Sequence, residues 1–370
     1  MICSMKPEKT NIATCHYPHK HCKHLAFSLF KRTNFISELT FTNDLQRICE
    51  NEKPAEMIGF ASSALSVLDN AELSITETEN SSVIHMDVDK SFLPFPSSVK
   101  ASIFESFSRQ NMVESETDIT TSIRQFIKSN YGFPTSSGTE FIYADCSLAL
   151  FNKLVLCCIQ EGGTLCFPAG SNGNHVSSAK FLKANIVNIP TNSEFGFKLS
   201  EKTLAGVFES VNNPWLYISG PTINPTGLVY SNGEMENILS ICAKFGAKVV
   251  LDTSFSGLEY DFEGCGGWDL EGILVRLYSS SKPSFCVSLL GGLSLKMLTG
   301  GLTCGFLVLN QPLLIDAFYS FPGLSKPHST VKYTVKKLLG LREQKAGGLL
   351  DAVAEHKRIL CSRAKRLKQV

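Results

Sequence analysis

Charge of one sign is what this sequence most plainly lacks. Across 370 residues, 35 Lys and Arg stand against 34 Asp and Glu, leaving a formal net charge of +1. Neither nucleic acid nor an anionic membrane surface is expected as a partner, because both recruit a basic excess. Long apolar runs are missing too. The longest, 148–159, is interrupted by Asn152 and Lys153 and is too short to cross a bilayer. The amino terminus is polar and lacks the apolar core of a signal peptide. Cysteine is plentiful, at thirteen, but its spacing has no period, and Cys157, Cys158 and Cys286 sit inside apolar segments. Such thiols read as reduced core residues, which makes a cytoplasmic location the expectation.

What is present divides the chain. Residues 1–34 form a polar stretch in which Cys15–His24 packs four of the eight histidines and two cysteines into ten positions. The spacing is too tight for ligands placed on separate elements, so a disordered tail that holds no dedicated metal is expected. Residues 35–78 read as helical with a polar linker at 74–82, and 83–89 as a short strand. From Glu140 onward, short apolar strands alternate with amphipathic helices: 141–143, 163–167, 184–189, 215–218 and 247–251 as strands, with 285–290 and 306–309 as further apolar runs. The run 272–277 is grouped with them. That alternation requires crossover connections and a largely parallel sheet, giving an α/β large domain over 79–310. Residues 311–370 turn helical, with a basic last turn.

Three pieces stand in fixed order between Trp215 and Phe306. The first is Gly220-Pro221-Thr222-Ile223-Asn224-Pro225-Thr226-Gly227. The second is Ala247-Lys248-Val249-Val250-Leu251 ending on Asp252. The third is Gly291-Gly292-Leu293-Ser294-Leu295-Lys296, followed by Gly300, Gly301 and Gly305. Read by themselves, these are a Pro-Gly loop, a strand-end carboxylate that is able to cap its own turn, and a glycine-rich segment. In this order they resemble the fold-type I pyridoxal-phosphate enzymes of the class I/II aminotransferases.

The resemblance implies a mostly parallel sheet flanked by helices and pyridoxal phosphate as cofactor. It also implies a role for each matching residue. Lys296 matches the lysine that joins the cofactor, Asp252 the carboxylate against the ring nitrogen, and Asn224 the donor to the ring oxygen. Cys146 and Ser147, opening a helix after a strand, occupy the place of the phosphate loop. His175 is the only ring near the place of the stacking aromatic.

Several positions depart from that pattern. Asp145 puts a carboxylate beside the phosphate loop, where like charges repel. Phe255 stands in place of the family's hydroxyl-bearing tyrosine, Thr303 in place of a phosphate-binding arginine, and Leu293 and Leu295 in place of a Ser-x-Ser. A rival lysine, Lys282, follows Ser279-Ser280-Ser281 but lies far from the glycine loop; Lys296 is preferred by position.

Within that superfamily, roughly residues 38–370 resemble the C-terminal aminotransferase-like module of the plant methionine S-methyltransferase family. The carrying segments are 220–227, 251–260, 300–310 and 320–330. In that family a separate domain makes S-methylmethionine from methionine and S-adenosylmethionine. This sequence has no strand leading into Gly-x-Gly-x-Gly, and Gly264–Gly267 reads as a turn, so methyl transfer is not expected of this chain alone. The resemblance also implies a small C-terminal domain that is incomplete here, hence a piece of a larger enzyme. Two functions follow as expectations. One is a non-catalytic or regulatory module, assembling as a homo-oligomer. The other is an active aminotransferase with an amino acid as ligand.

Overall fold

The computed structural model describes residues 95–108, 116–133, 138–259, 269–279 and 281–367. These all fall within one compact unit, Lys90–Val370. The expected tail, the helical segment 35–78 and the strand 83–89 lie outside the described residues.

Two helices, α1 (Ser97–Ser108) and α2 (Glu116–Tyr131), precede the sheet. Strands and helices then alternate: β1 (Glu140–Ala144), α3 (Ser147–Gln160), β2 (Thr164–Pro168), α4 (Gly173–Phe181), β3 (Asn185–Ile189), α5 (Glu201–Ser210), β4 (Pro214–Ser219), α6 (Asn232–Phe245), β5 (Lys248–Asp252), α7 (Leu270–Tyr278), β6 (Cys286–Gly292), the single turn α8 (Ser294–Met297) and β7 (Gly305–Leu309). Three helices close the chain: α9 (Pro312–Ser320), α10 (Ser329–Glu343) and α11 (Leu349–Leu367).

The sheet runs β1-β7-β6-β5-β4-β2-β3. Only β7 is antiparallel to its neighbours; it pairs with both β1 and β6. One reading changes: 272–277 is not a strand but the heart of α7, which Asp269 caps by accepting from the Gly272 amide. Its four buried residues, Leu270, Ile273, Leu274 and Leu277, follow the three- and four-residue spacing of a helix, which a six-residue window hides.

A core on each face of the sheet explains why the central strands are largely apolar, while the edge strand β3 is partly exposed. In β4, Leu216 and Ile218 face one core, and Trp215 and Tyr217 face the other. Val249 and Leu251 of β5 split from Val250 in the same way. Each fully buried Leu or Val stabilises the fold by roughly 2 kcal/mol. Local signals fix where the helices begin and end. α6 opens on a capping box between Ser231 and Glu234 and stops at Gly246, whose φ of 72° suits glycine. At Gly305 a Cβ would lie 2.4 Å from the backbone of Cys146 and Ser147, so β7 packs directly on the start of α3 only because that side chain is missing.

Candidate functional site

Because β1, β2, β4, β5 and β6 all point the same way, their carboxyl ends share one edge of the sheet. Ligands of open α/β sheets collect there. Cys146 and Ser147 follow β1, His175 follows β2, Asn224 follows β4, Asp252 ends β5 and Lys296 follows β6. Six residues spread over 150 positions of sequence thus meet on one edge. Lys282 does not join them: it precedes β6 and lies at the opposite edge.

Asp252 is 4% exposed, and the protein itself engages both its oxygens. Tyr217 donates its hydroxyl to Oδ2 at 2.6 Å, and Ser254 donates its amide (2.9 Å) and hydroxyl (2.6 Å) to Oδ1. These bonds let a carboxylate sit in the interior without a cation in contact. Burial and the neighbouring Asp252 charge push the Tyr217 phenol well above its usual range, so it stays a donor.

His175 is 5% exposed. Its ring lies 5.0 Å from Tyr217, tilted by 30°, and meets Phe151 edge-on at 4.7 Å. Nε2 is 3.9 Å from Asp252 Oδ2, too far for a hydrogen bond, and neither ring nitrogen has a hydrogen-bond partner among the described residues. Burial lowers its pKa while Asp252 raises it; burial dominates and the ring stays neutral.

Lys296 sits on α8 and is also 4% exposed. Its ammonium donates to three backbone carbonyls of the turn after β5: Thr253 at 2.6 Å, Ser254 at 3.1 Å and Ser256 at 2.5 Å. That uses all three of its protons. Burial pushes its pKa down to about 7, against the pull of Glu259 and Asp252. Glu259 is occupied elsewhere: it accepts from the Thr222 hydroxyl at 2.5 Å and from the Gly257 amide, tying the Asn224 loop to this turn.

The two loops that carry Asn224 and Lys296 border different clefts. Asn224 lies in a neutral one with Ser171, Ser219, Thr226 and Tyr230. Lys296 borders a second with Phe126, Tyr131, Leu258, Arg342 and Val353. At the start of α3, the N-cap Cys146 makes no side-chain capping bond, and Asp145 Oδ1 is buried with no partner among the described residues.

Sequence reasoning passed over Tyr217 and Arg342. Tyr217 carried no signal in the sequence: only the pairing of β4 with β5, which sets Ser219 in register with Asp252, shows that Tyr217 and Asp252 share a face. Arg342 carried none, because only the packing of α10 brings it to the cleft. Among the described residues, no group of His, Cys, Asp and Glu is able to hold a metal ion, and no helix is long and apolar enough to cross a membrane.

Residues 85–369 match the aminotransferase class I and II family. A methionine S-methyltransferase of Arabidopsis thaliana is 63% identical over 325 residues, 88% of this chain and 30% of that protein. One from Wollastonia biflora is 56% identical over 327 residues, with the same coverage on both sides. The chain therefore spans about a third of the length of the curated relatives it matches. Among solved structures, an aromatic aminotransferase from Pyrococcus horikoshii aligns with a TM-score of 0.64 at 18% identity, covering 81% of this chain and 76% of that one. At that identity the likeness establishes the fold alone.

Proposed function

The chain belongs to the aminotransferase class I and II family, and from that premise we propose that it is the aminotransferase-fold module of a methionine S-methyltransferase, serving by binding or assembly and not by transamination. The relatives' name and their identity over 88% of the chain support the first half.

One observation carries the second half. The two charges that pyridoxal phosphate would need, Asp252 and Lys296, are satisfied by the protein's own groups. Asn224 borders a different cleft from Lys296. His175 is almost wholly buried and packed against Tyr217 and Phe151. At Cys146 and Ser147 a phosphate would meet the half-buried Asp145 carboxylate, whose Oδ1 has no partner among the described residues. On this reading the residues present do not fit the cofactor, and no step is routed through it.

The rival reading, a working transaminase, draws on one fact. An amine with a pKa of about 7 is half neutral at physiological pH, which nucleophilic lysines require.

Absorbance titration of the chain with pyridoxal phosphate, followed by borohydride reduction and peptide mapping, separates the two. The proposal expects no visible band and no reduced adduct at concentrations well above micromolar, the range of tight sites at roughly −8 kcal/mol. A band trapped on Lys296 and lost in Lys296→Ala would establish the rival.

A further inference from the structure

The second cleft has a property that neither reading uses. Arg342, on α10, has its guanidinium half-buried between α2 and the turn after β5. Its only side-chain acceptor among the described residues is neutral: Nη2 donates to Asn130 Oδ1 at 2.9 Å. The guanidinium also lies 5.5 Å from the centroid of Phe126. Among the described residues it makes no ion pair, and no acidic side chain borders the cleft. A second cation, Lys296, borders the same space, and the two repel: the field of Arg342 lowers the lysine's pKa further. Glu259 and Asp252 offset that repulsion at Lys296, whereas Arg342 has no acidic partner among the described residues, and a half-buried cation so placed is costly.

We propose that this cleft binds a small monocarboxylate with a short apolar chain, the carboxylate on Arg342 and the chain against Phe126, Leu258 and Val353. Planar guanidinium forks match planar carboxylates in a bidentate bond. Among the described residues only Nη2 of Arg342 is engaged, and by one of its two protons; the other, together with the neighbouring Nη1 or Nε proton, leaves one fork open. Lys296 contributes its charge but no donor, because three carbonyls hold its protons. A phosphate dianion would ask for more donors than this cleft supplies. Apolar walls beside the guanidinium favour an organic acid over an inorganic anion.

The proposal goes beyond the function argued above and is independent of it, since a saturated carboxylate has no carbonyl to react with any lysine. The test is thermal unfolding of the full chain with sodium 4-methylpentanoate, against sodium chloride at equal ionic strength. A saturable rise in Tm with the carboxylate, larger than with chloride, is expected, because a ligand that binds only the folded state stabilises it by mass action. Arg342→Gln should weaken the apparent affinity at least tenfold. Asn130→Asp provides a second variant, because it places a competing carboxylate beside Arg342 without removing the cation; it should abolish the shift while far-UV circular dichroism is unchanged. Equal shifts with chloride, or an undiminished shift in a folded Arg342→Gln or Asn130→Asp chain, overturn the proposal.

Discussion

Two cations border one cleft and are treated in opposite ways. Lys296 is almost wholly buried, and three backbone carbonyls accept its protons. Arg342 is half-buried, and among the described residues a single amide oxygen and an aromatic face are its partners. The first is closed by its own chain and holds the turn 253–256 against α8. The second is left able to donate. Chain order places Lys296 just after a strand, whereas Arg342 lies near the end of a helix. What also differs is the supply of carbonyls: the turn after β5 presents three to Lys296, while among the described residues no backbone carbonyl accepts from Arg342. A charge that the backbone has satisfied is structural, and one left half-satisfied is available to a ligand.

Removing the carboxylate that anchors the closed region should have the largest effect. Asp252→Ala leaves the buried Tyr217 hydroxyl without its acceptor, and a loss of about 2–4 kcal/mol in urea unfolding is expected. A loss below about 0.5 kcal/mol would mean that the region is wetter than its burial implies.

Lys296→Met comes next and is read through pH. A lysine whose folded pKa of about 7 lies below its unfolded value of 10.5 makes stability rise with pH between the two, since the unfolded chain then holds the extra proton. The slope approaches about 1.4 kcal/mol per pH unit. Subtracting the Met variant's curve from the parent's over pH 7–8.5 cancels the buried thiols, whose raised pKa values act in the opposite direction higher up. A flat difference curve would show that the carbonyls keep the proton on Lys296 throughout.

Arg342→Gln should change stability least, by no more than about 0.5 kcal/mol, because Arg342 makes no ion pair among the described residues. A large loss would place Arg342 with Lys296 as a structural cation and remove the contrast between them.

Much of the fold was legible because it is written in local pattern. Strand–helix alternation from Glu140, the capping box at Ser231 and Glu234, and the stop at Gly246 are each encoded within a few residues. The helix α7 was misgrouped because its apolar spacing, viewed over six positions, also suits a strand. For the site, the family resemblance singled out Cys146, Ser147, His175, Asn224, Asp252 and Lys296, and strand–helix order puts each of them after or at the end of a strand. The register that sets Tyr217 beside Asp252 was not visible, nor was the choice of Tyr217 and Ser254 as that carboxylate's partners.

The sequence by itself thus determined which residues reach the carboxyl edge of the sheet. In a parallel sheet the carboxyl edge is where each strand hands over to the helix that follows, and the strand–helix alternation marks those points. It also determined that Lys282 stays away, since a residue ahead of a strand belongs to the other edge. Tertiary structure decided what each charge touches once there. Whether Lys296 faces three carbonyls or a ligand, and whether Arg342 shares its cleft, depends on how a turn and three helices pack over distances of a few ångströms. Hydrogen bonds change character over that range, and no periodicity encodes it.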